Sequence, residues 1–159
     1  MKVEQLMIRD VKTCGPDDSL NVAAKLMWDF DCGCVPVVGA DEKLVGMITD
    51  RDICMAAYTQ GKPLDAMRVS SAMSHAAHAC RFGDSILLAE RLLREHAIRR
   101  IPIVDAEGRI LGILSTNDLA REAARPHDPE ERDVSAEAFT ETIAAVCTPR
   151  RARAMRAAA

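Results

Sequence analysis

Two copies of one seven-residue pattern hold the residue types best suited to binding chemistry. Residues 46–52 read Gly-Met-Ile-Thr-Asp-Arg-Asp, and residues 112–118 read Gly-Ile-Leu-Ser-Thr-Asn-Asp. Thr49 and Ser115 are of the type that caps a helix N-terminus, and the aspartate three residues later lies on the same helix face. The unpaired amides and the dipole of such an N-terminus attract anions. Each copy therefore predicts a place where a phosphate meets backbone amides and a sugar diol meets the carboxylate.

The elements that must position these residues are also written twice. The two patterns are 112 − 46 = 66 residues apart, and the same offset, without a gap, pairs Met7 with Met73, Cys14 with Cys80, and Pro36 with Pro102. A period of this kind indicates a repeat whose two copies share one core. We expect one repeat over residues 1–60, a second over 61–125, and a linker, helix and tail over 126–159.

Hydrophobic spacing within each copy predicts the order of its elements. In the first copy the apolar residues recur at helical spacing: Leu20, Ala23, Leu26, Met27 and Phe30. A short extended segment at 12–14 precedes this helix, two strands at 35–38 and 43–48 follow it, and Thr49 opens a second helix. The second copy has the same order. The predicted class is α+β, with a β-α-β-β-α unit in each copy.

These motifs carry a family resemblance. Pro-Asp-Asp-Ser-Leu at 16–20, Val-Pro-Val-Val at 35–38 and the Gly-x-x-Thr-x-x-Asp pattern at 46–52 resemble, in this order, the cystathionine-β-synthase (CBS) domain. The resemblance implies a tandem CBS pair, or Bateman module, with the repeats in a pseudo-twofold arrangement. It also implies a regulatory protein without catalysis. Such a protein would bind an adenosine-containing ligand (AMP, ADP, ATP or S-adenosylmethionine) in clefts between the repeats.

The resemblance further implies roles for individual side chains. Asp52 and Asp118 would hold ribose hydroxyls, and Thr49 and Ser115 would contact ribose or phosphate. Candidate adenine neighbours are small or apolar: Val11, Thr13, Val35, Ile48, Ile101 and Leu114. Candidate phosphate contacts are basic: Arg51 and Arg100.

The two clefts are not expected to be equivalent. The second repeat has Arg-Arg at 99–100 where the first has Gly-Cys at 33–34. Arginine binds phosphate bidentately, so only one repeat supplies this basic pair. Thr13 is likewise matched by Ala79 in the second copy.

Other functions fit parts of the sequence. Cys32 and Cys34 could form a thiol-based redox or metal-binding pair, although zinc normally takes four ligands and no second cysteine pair lies nearby in sequence. His75, His78 and Cys80 form a second cluster, but their spacing matches no common zinc pattern. A homodimer whose clefts have lost their ligand is the structural alternative.

Composition limits the partners and the location. The chain has 21 Lys plus Arg against 24 Asp plus Glu, a formal net charge of −3, which offers no broad attraction for nucleic acid or an anionic membrane. No apolar run approaches the roughly 20 residues that span a bilayer, so we expect a cytoplasmic protein. No catalytic triad, phosphate loop or pair of catalytic carboxylates can be assembled. A regulated target, whose identity the sequence does not give, must therefore act in trans.

Two apolar surfaces need partners. The helices after the junctions carry small and apolar residues, which predicts a homodimer through Ile53, Ala56, Ala57, Leu119 and Ala123. In the C-terminal part, Ser135 is expected to cap a helix with Phe139, Ile143 and Val146 on one face. This face should dock on the chain's own repeats or, as we favour, on the partner subunit. The arginine-rich end is predicted to be a disordered tail.

Overall fold

A computed structural model describes residues 1–125 and 134–148. The first repeat contains α1 (Leu20–Asp29), β1 (Cys34–Val38), β2 (Leu44–Thr49) and α2 (Asp50–Gln60). The second contains β3 (Cys80–Arg81), α3 (Ile86–His96), β4 (Arg100–Val104), β5 (Ile110–Ser115) and α4 (Thr116–Ala123), and α5 (Ala136–Cys147) follows. Short 3-10 turns cover Val3–Gln5, Leu64–Ala66 and Val69–Ser71. The predicted α+β class, with two repeats and a terminal helix, is confirmed.

The two repeats share one strand register. In the first, β1 pairs antiparallel with β2, with Cys34 opposite Thr49. In the second, β4 pairs with β5 in the same way, with Arg100 opposite Ser115. Both hairpins start one residue earlier than the sequence predicts, because the residue before the apolar run pairs with the hydroxyl residue that ends the next strand.

Each repeat is completed by the segment that precedes the other. The N-terminal turn crosses to the second repeat, where the Val3 amide donates to the Asp84 carbonyl at 3.0 Å. The turn between the repeats goes back to the first, where the Val69 amide donates to the Asp18 carbonyl at 2.8 Å. Val3 and Met7 are buried in the second core, and Met67 and Val69 are buried in the first. Neither core is therefore complete without chain from outside its own repeat.

This crossing explains why each seven-residue pattern begins with glycine. Ser74 pairs with Met47 through two backbone hydrogen bonds, of 3.1 and 2.8 Å, directly over β2. A methyl group added to Gly46 would lie 2.6 Å from the Ser74 carbonyl oxygen. At Gly112 the same methyl would lie 2.5 Å from the Met7 sulfur. Both glycines keep the crossing segment in hydrogen-bonding distance of the strand.

Helix α5 docks on its own chain. It packs against α3 and α4, Thr142 at the centre of its face is fully buried, and Arg94 of α3 pairs with Glu141 at 3.1 Å. The expectation that α5 covers a partner subunit is therefore wrong in this structure. Val134 and Phe139 join the core that contains Leu119 and Ala123, so that half of the predicted dimer surface is already occupied. The predicted cap is present, since the Ala138 amide donates to Ser135 Oγ at 3.1 Å.

Most of the predicted linker, residues 126–133, and the arginine-rich tail after Thr148 lie outside the described residues.

We predict that Gly46→Ala lowers the free energy of unfolding by about 1 to 3 kcal/mol, the usual cost of overpacking a tight contact. The clash is with a backbone oxygen that is itself held in hydrogen bonds, so it cannot be relieved by rotating a side chain. Chemical denaturation monitored by circular dichroism measures the change.

Gly15→Ala is the matched control, because its methyl would meet only the Asp18 side chain, at 3.6 Å. Equal stability of the two variants would contradict this explanation of the glycines.

Candidate functional site

The junction at Thr49 holds its aspartate in a reciprocal cap. The Asp52 amide donates to Thr49 Oγ1 at 3.2 Å, while Asp52 Oδ2 accepts from the Thr49 amide at 3.0 Å and from the Thr49 hydroxyl at 2.6 Å. This arrangement satisfies groups that a helix N-terminus otherwise leaves unpaired. Asp52 Oδ1 accepts no hydrogen bond from the described residues, so it is available to a ligand.

The junction at Ser115 has the same cap, but the second carboxylate oxygen of its aspartate has a partner of its own. Asp118 Oδ2 accepts from the Ser115 amide at 2.7 Å and from its hydroxyl at 2.6 Å. Asp118 Oδ1 additionally accepts from Arg121, and the aspartate is only 4% exposed. The residue 66 positions before Arg121 is Met55, which cannot do this for Asp52. The two aspartates therefore differ in what they can offer a ligand.

A cavity of about 350 Å³ lies at the Thr49 junction and is built by both repeats. The first repeat contributes residues 33–34, Met47 and residues 49–52. The second repeat contributes Ser74, residues 76–78 and residues 97–100. Four residues predicted from the sequence as contacts line it together: Thr49, Arg51, Asp52 and Arg100.

The charges in this cavity favour an anion beside a carboxylate. Arg51, Arg99 and Arg100 face it together with Asp50 and Asp52, and the N-terminus of α2 adds its partial positive charge. A methyl group on Gly33 would lie 3.3 Å from the Arg100 guanidinium and 3.2 Å from the Asp50 carboxylate. Glycine at this position thus leaves room for the arginine of the second repeat to reach the junction of the first.

The other predicted contacts lie elsewhere. Ser115, Asp118, Val11 and Thr13 do not line this cavity. Through the 66-residue offset, Val11 corresponds to Ala77, which does line it. Four candidate adenine neighbours are fully buried in the two cores: Val35, Ile48, Ile101 and Leu114. They belong to the two cores, whereas the cavity lining carries apolar groups that the sequence analysis did not select: Met47, Ala77, Ala97 and Ile98.

The sequence does not predict that His78, named above in a cluster with His75 and Cys80, contacts His96. The rings of His78 and His96 are stacked, with centroids 3.4 Å apart and planes within 9°. His78 lines the cavity, and burial, with a further contribution from His96, lowers the pKa of His78. Only the fold brings these residues together, since 18 positions separate them.

The cysteine pair is poorly suited to thiol chemistry. Cys34 lines the cavity, but it is only 6% exposed, and burial raises the pKa of its thiol to about 11 although Arg100 acts in the opposite direction. All six cysteines are free thiols. Within residues 1–125 and 134–148, no group of three or more His, Cys, Asp or Glu side chains is placed to hold a metal ion.

Comparison with known proteins gives two matches to one family model, the CBS domain, over residues 3–58 and 69–125. These ranges contain both seven-residue patterns. In the described part of the chain, no helix has the length and apolar character needed to cross a membrane.

The chain is similar to the following proteins and solved structures, among others. Hypoxic response protein 1 of Mycobacterium tuberculosis is 29% identical over 144 residues, 91% of this chain and 92% of that protein. A crystal structure of Hypoxic Response Protein I with two coordinated zinc ions is similar at a TM-score of 0.70, with 28% identity over 79% of this chain and 100% of that one. CBSX2 in complex with AMP gives a TM-score of 0.67, with 26% identity over 77% and 95% of the two chains. Inosine-5'-monophosphate dehydrogenase of Methanocaldococcus jannaschii is 30% identical over 165 residues, 92% of this chain but 32% of the enzyme.

The burial of Cys34 leads to a prediction about alkylation. At pH 7.5 we expect exposed Cys147 to react with iodoacetamide at least about tenfold faster than Cys34, because a raised pKa leaves little thiolate and burial blocks access. Mass-spectrometric mapping of the alkylated peptides over time measures the two rates in one sample. If Cys34 reacted first, the thiol-based alternative would regain support.

Proposed function

Because the chain belongs to the CBS-domain family, as a tandem pair, we propose that it is a regulatory protein that binds an adenosine nucleotide between its repeats. It then acts on a separate protein in trans. The observation that carries the proposal is the convergence of Thr49, Asp52, Arg51 and Arg100 on one cavity. The AMP bound to CBSX2 supports the ligand class. The candidates are AMP, ADP, ATP and S-adenosylmethionine.

The proposed pose follows from the groups around the cavity. A phosphate lies at the N-terminus of α2, where backbone amides and arginine side chains donate to it. The ribose diol donates to Asp52 Oδ1, the oxygen that the helix cap leaves available. The adenine packs on the apolar wall formed by Met47, Ala77 and Ile98.

The pseudo-equivalent cleft around Ser115 and Asp118, which Val11 and Thr13 would border, is proposed to be the weaker one. Arg121 already binds the outer oxygen of Asp118, so a ribose must displace it. The arginine pair of the first cleft is also replaced by residues 33–34, Gly-Cys. Binding should therefore begin at Thr49 and Asp52.

The absence of catalysis and the action in trans are also part of the proposal. The match to inosine-5'-monophosphate dehydrogenase covers about a third of that enzyme, so it is no reason to assign the enzyme's activity to this chain. The cytoplasmic location and the existence of a separate protein target stay predictions.

Calorimetric titration with AMP, ADP, ATP and S-adenosylmethionine tests the ligand. For the ligand that binds, Asp52→Ala and Arg100→Gln should each weaken the first site about 10- to 100-fold, the usual effect of removing a hydrogen bond to a charged group. Asp118→Ala should affect only a second, weaker binding event.

Arg109→Gln is the matched control, because Arg109 is exposed and lies outside the cavity. Unchanged affinity and stoichiometry in the Asp52→Ala, Arg100→Gln double variant would refute the proposed site.

We further propose that two copies associate through α1 and α2. A groove of about 420 Å³ lies between these helices, lined by Met27, Trp28, Ile53 and Cys54 among others, and Trp28 is 87% exposed. The equivalent groove of the second repeat holds α5, which shows that this surface accepts a helix. The first groove remains for a partner subunit.

Light scattering at micromolar concentration should give twice the 17.4 kDa chain mass. Trp28→Glu should shift the protein toward monomer, since it places a charge in an apolar interface. Leu87→Glu, on an exposed position of α3, should not. A monomeric wild-type protein would count against the homodimer.

A further inference from the structure

His78 lines the candidate cavity and stacks on His96. Histidine is the side chain whose charge ordinarily changes near neutral pH. His96 is the last residue of α3 and is exposed, whereas His78 is half-buried and faces the cavity. Two imidazolium rings at a centroid distance of 3.4 Å would repel each other strongly, because like charges at this distance oppose ionisation. The two rings therefore disfavour carrying a positive charge at the same time.

The surroundings of the pair bring a ligand phosphate and this proton together. The charged groups on the neighbouring elements are Arg94 and Glu95 on α3, Arg99 and Arg100 in the stretch that enters β4, and Asp50, Arg51 and Asp52 across the cavity on α2. Arg51, Arg99 and Arg100 outnumber Asp50 and Asp52 in the cavity lining, so the arginines can hold a phosphate. A phosphate bound between them would reverse the local potential and favour the charged imidazole.

We infer, resting on the proposed function, that His78 is a phosphate-binding residue of the cavity that binds as an imidazolium while it stacks on His96. The ring takes one proton from the buffer when the phosphate arrives, and its N–H then donates to a phosphate oxygen. His78 thereby makes nucleotide affinity dependent on pH.

The direction of this dependence follows from linkage. Burial and His96 lower the pKa of His78 in the free protein, and the phosphate raises it in the complex. Between these two values the complex binds more protons than the free protein, so affinity increases as the pH falls. The contribution of His78 can reach at most about tenfold per pH unit, because a single proton is involved.

Calorimetry of AMP binding at pH 7, in buffers of low and high ionisation enthalpy, measures the protons taken up. The phosphate of AMP titrates near pH 6 itself, but at pH 7 it is already about nine-tenths dianionic, so its own titration contributes at most about 0.1 proton. We expect more proton uptake in the wild type than in His78→Gln. His75→Gln is the matched control, an exposed histidine three residues away that does not line the cavity, and it should behave as the wild type.

Two further variants separate charge from structure. His78→Lys, with a permanent positive charge, should bind AMP at least as tightly as the wild type at pH 8 but without the extra proton. His96→Asn should raise the pKa of His78 in the free protein, which NMR of the imidazole ring reads directly, and should reduce proton uptake.

The possible failures are distinguishable. If AMP binds in an Arg100-dependent way while the wild type and His78→Gln take up equal numbers of protons, the role of His78 is wrong and the proposed function stands. If none of AMP, ADP, ATP and S-adenosylmethionine binds, the proposed function fails and this inference fails with it.

Discussion

The segment that precedes each repeat crosses to the other repeat, where it pairs with β5 or β2. The other features of the structure depend on this contact. It requires glycine at positions 46 and 112, because any side chain would push the crossing backbone away from the strand. It also carries Val3 and Val69 into the core of the opposite repeat. Since each core is completed by the other copy's leading segment, the repeats cannot separate without opening both cores. The cavity between them is therefore part of the folded state.

Within this shared frame, a few substitutions separate the two halves. Asp52 and Asp118 have the same cap, yet the latter also binds Arg121, where the first repeat has Met55. The basic pair Arg99 and Arg100 at the start of β4 has no counterpart at the start of β1. Helix α5 fills one of the two equivalent helical grooves, the one in the second repeat. Pseudo-symmetry thus supplies two similar backbones. The side chains determine which junction forms the proposed ligand site and which groove is filled by α5.

The sequence predicts well what local spacing determines. The two hairpins and the two junctions lie within a residue of their expected positions, because alternation, apolar runs and caps act over short distances. The extended segment predicted at 12–14 forms only a single bridge, from Cys14 to Val37. It does not predict which core receives a buried residue: the place of Val3 in the second core depends on tertiary contacts. Apolar character also does not distinguish cavity-lining residues from core residues, since Ile48 and Ile101 are fully buried while Met47 and Ile98 line the cavity. The stack of His78 on His96 depends on tertiary contacts alone.

Helix α2 links the proposed ligand site to the free groove. Its first turn, with Asp50 and Asp52, faces the cavity, and its next turn gives Ile53 and Cys54 to the groove beside α1. A packed helix moves as a unit, so a ligand that prefers one position of its N-terminus also selects a shape of the groove. Binding linkage is reciprocal. If the ligand changes the affinity of the groove for a partner by some factor, that partner changes the affinity of the cavity for the ligand by the same factor. In the proposed regulatory function, this one helix would connect a bound nucleotide to the groove.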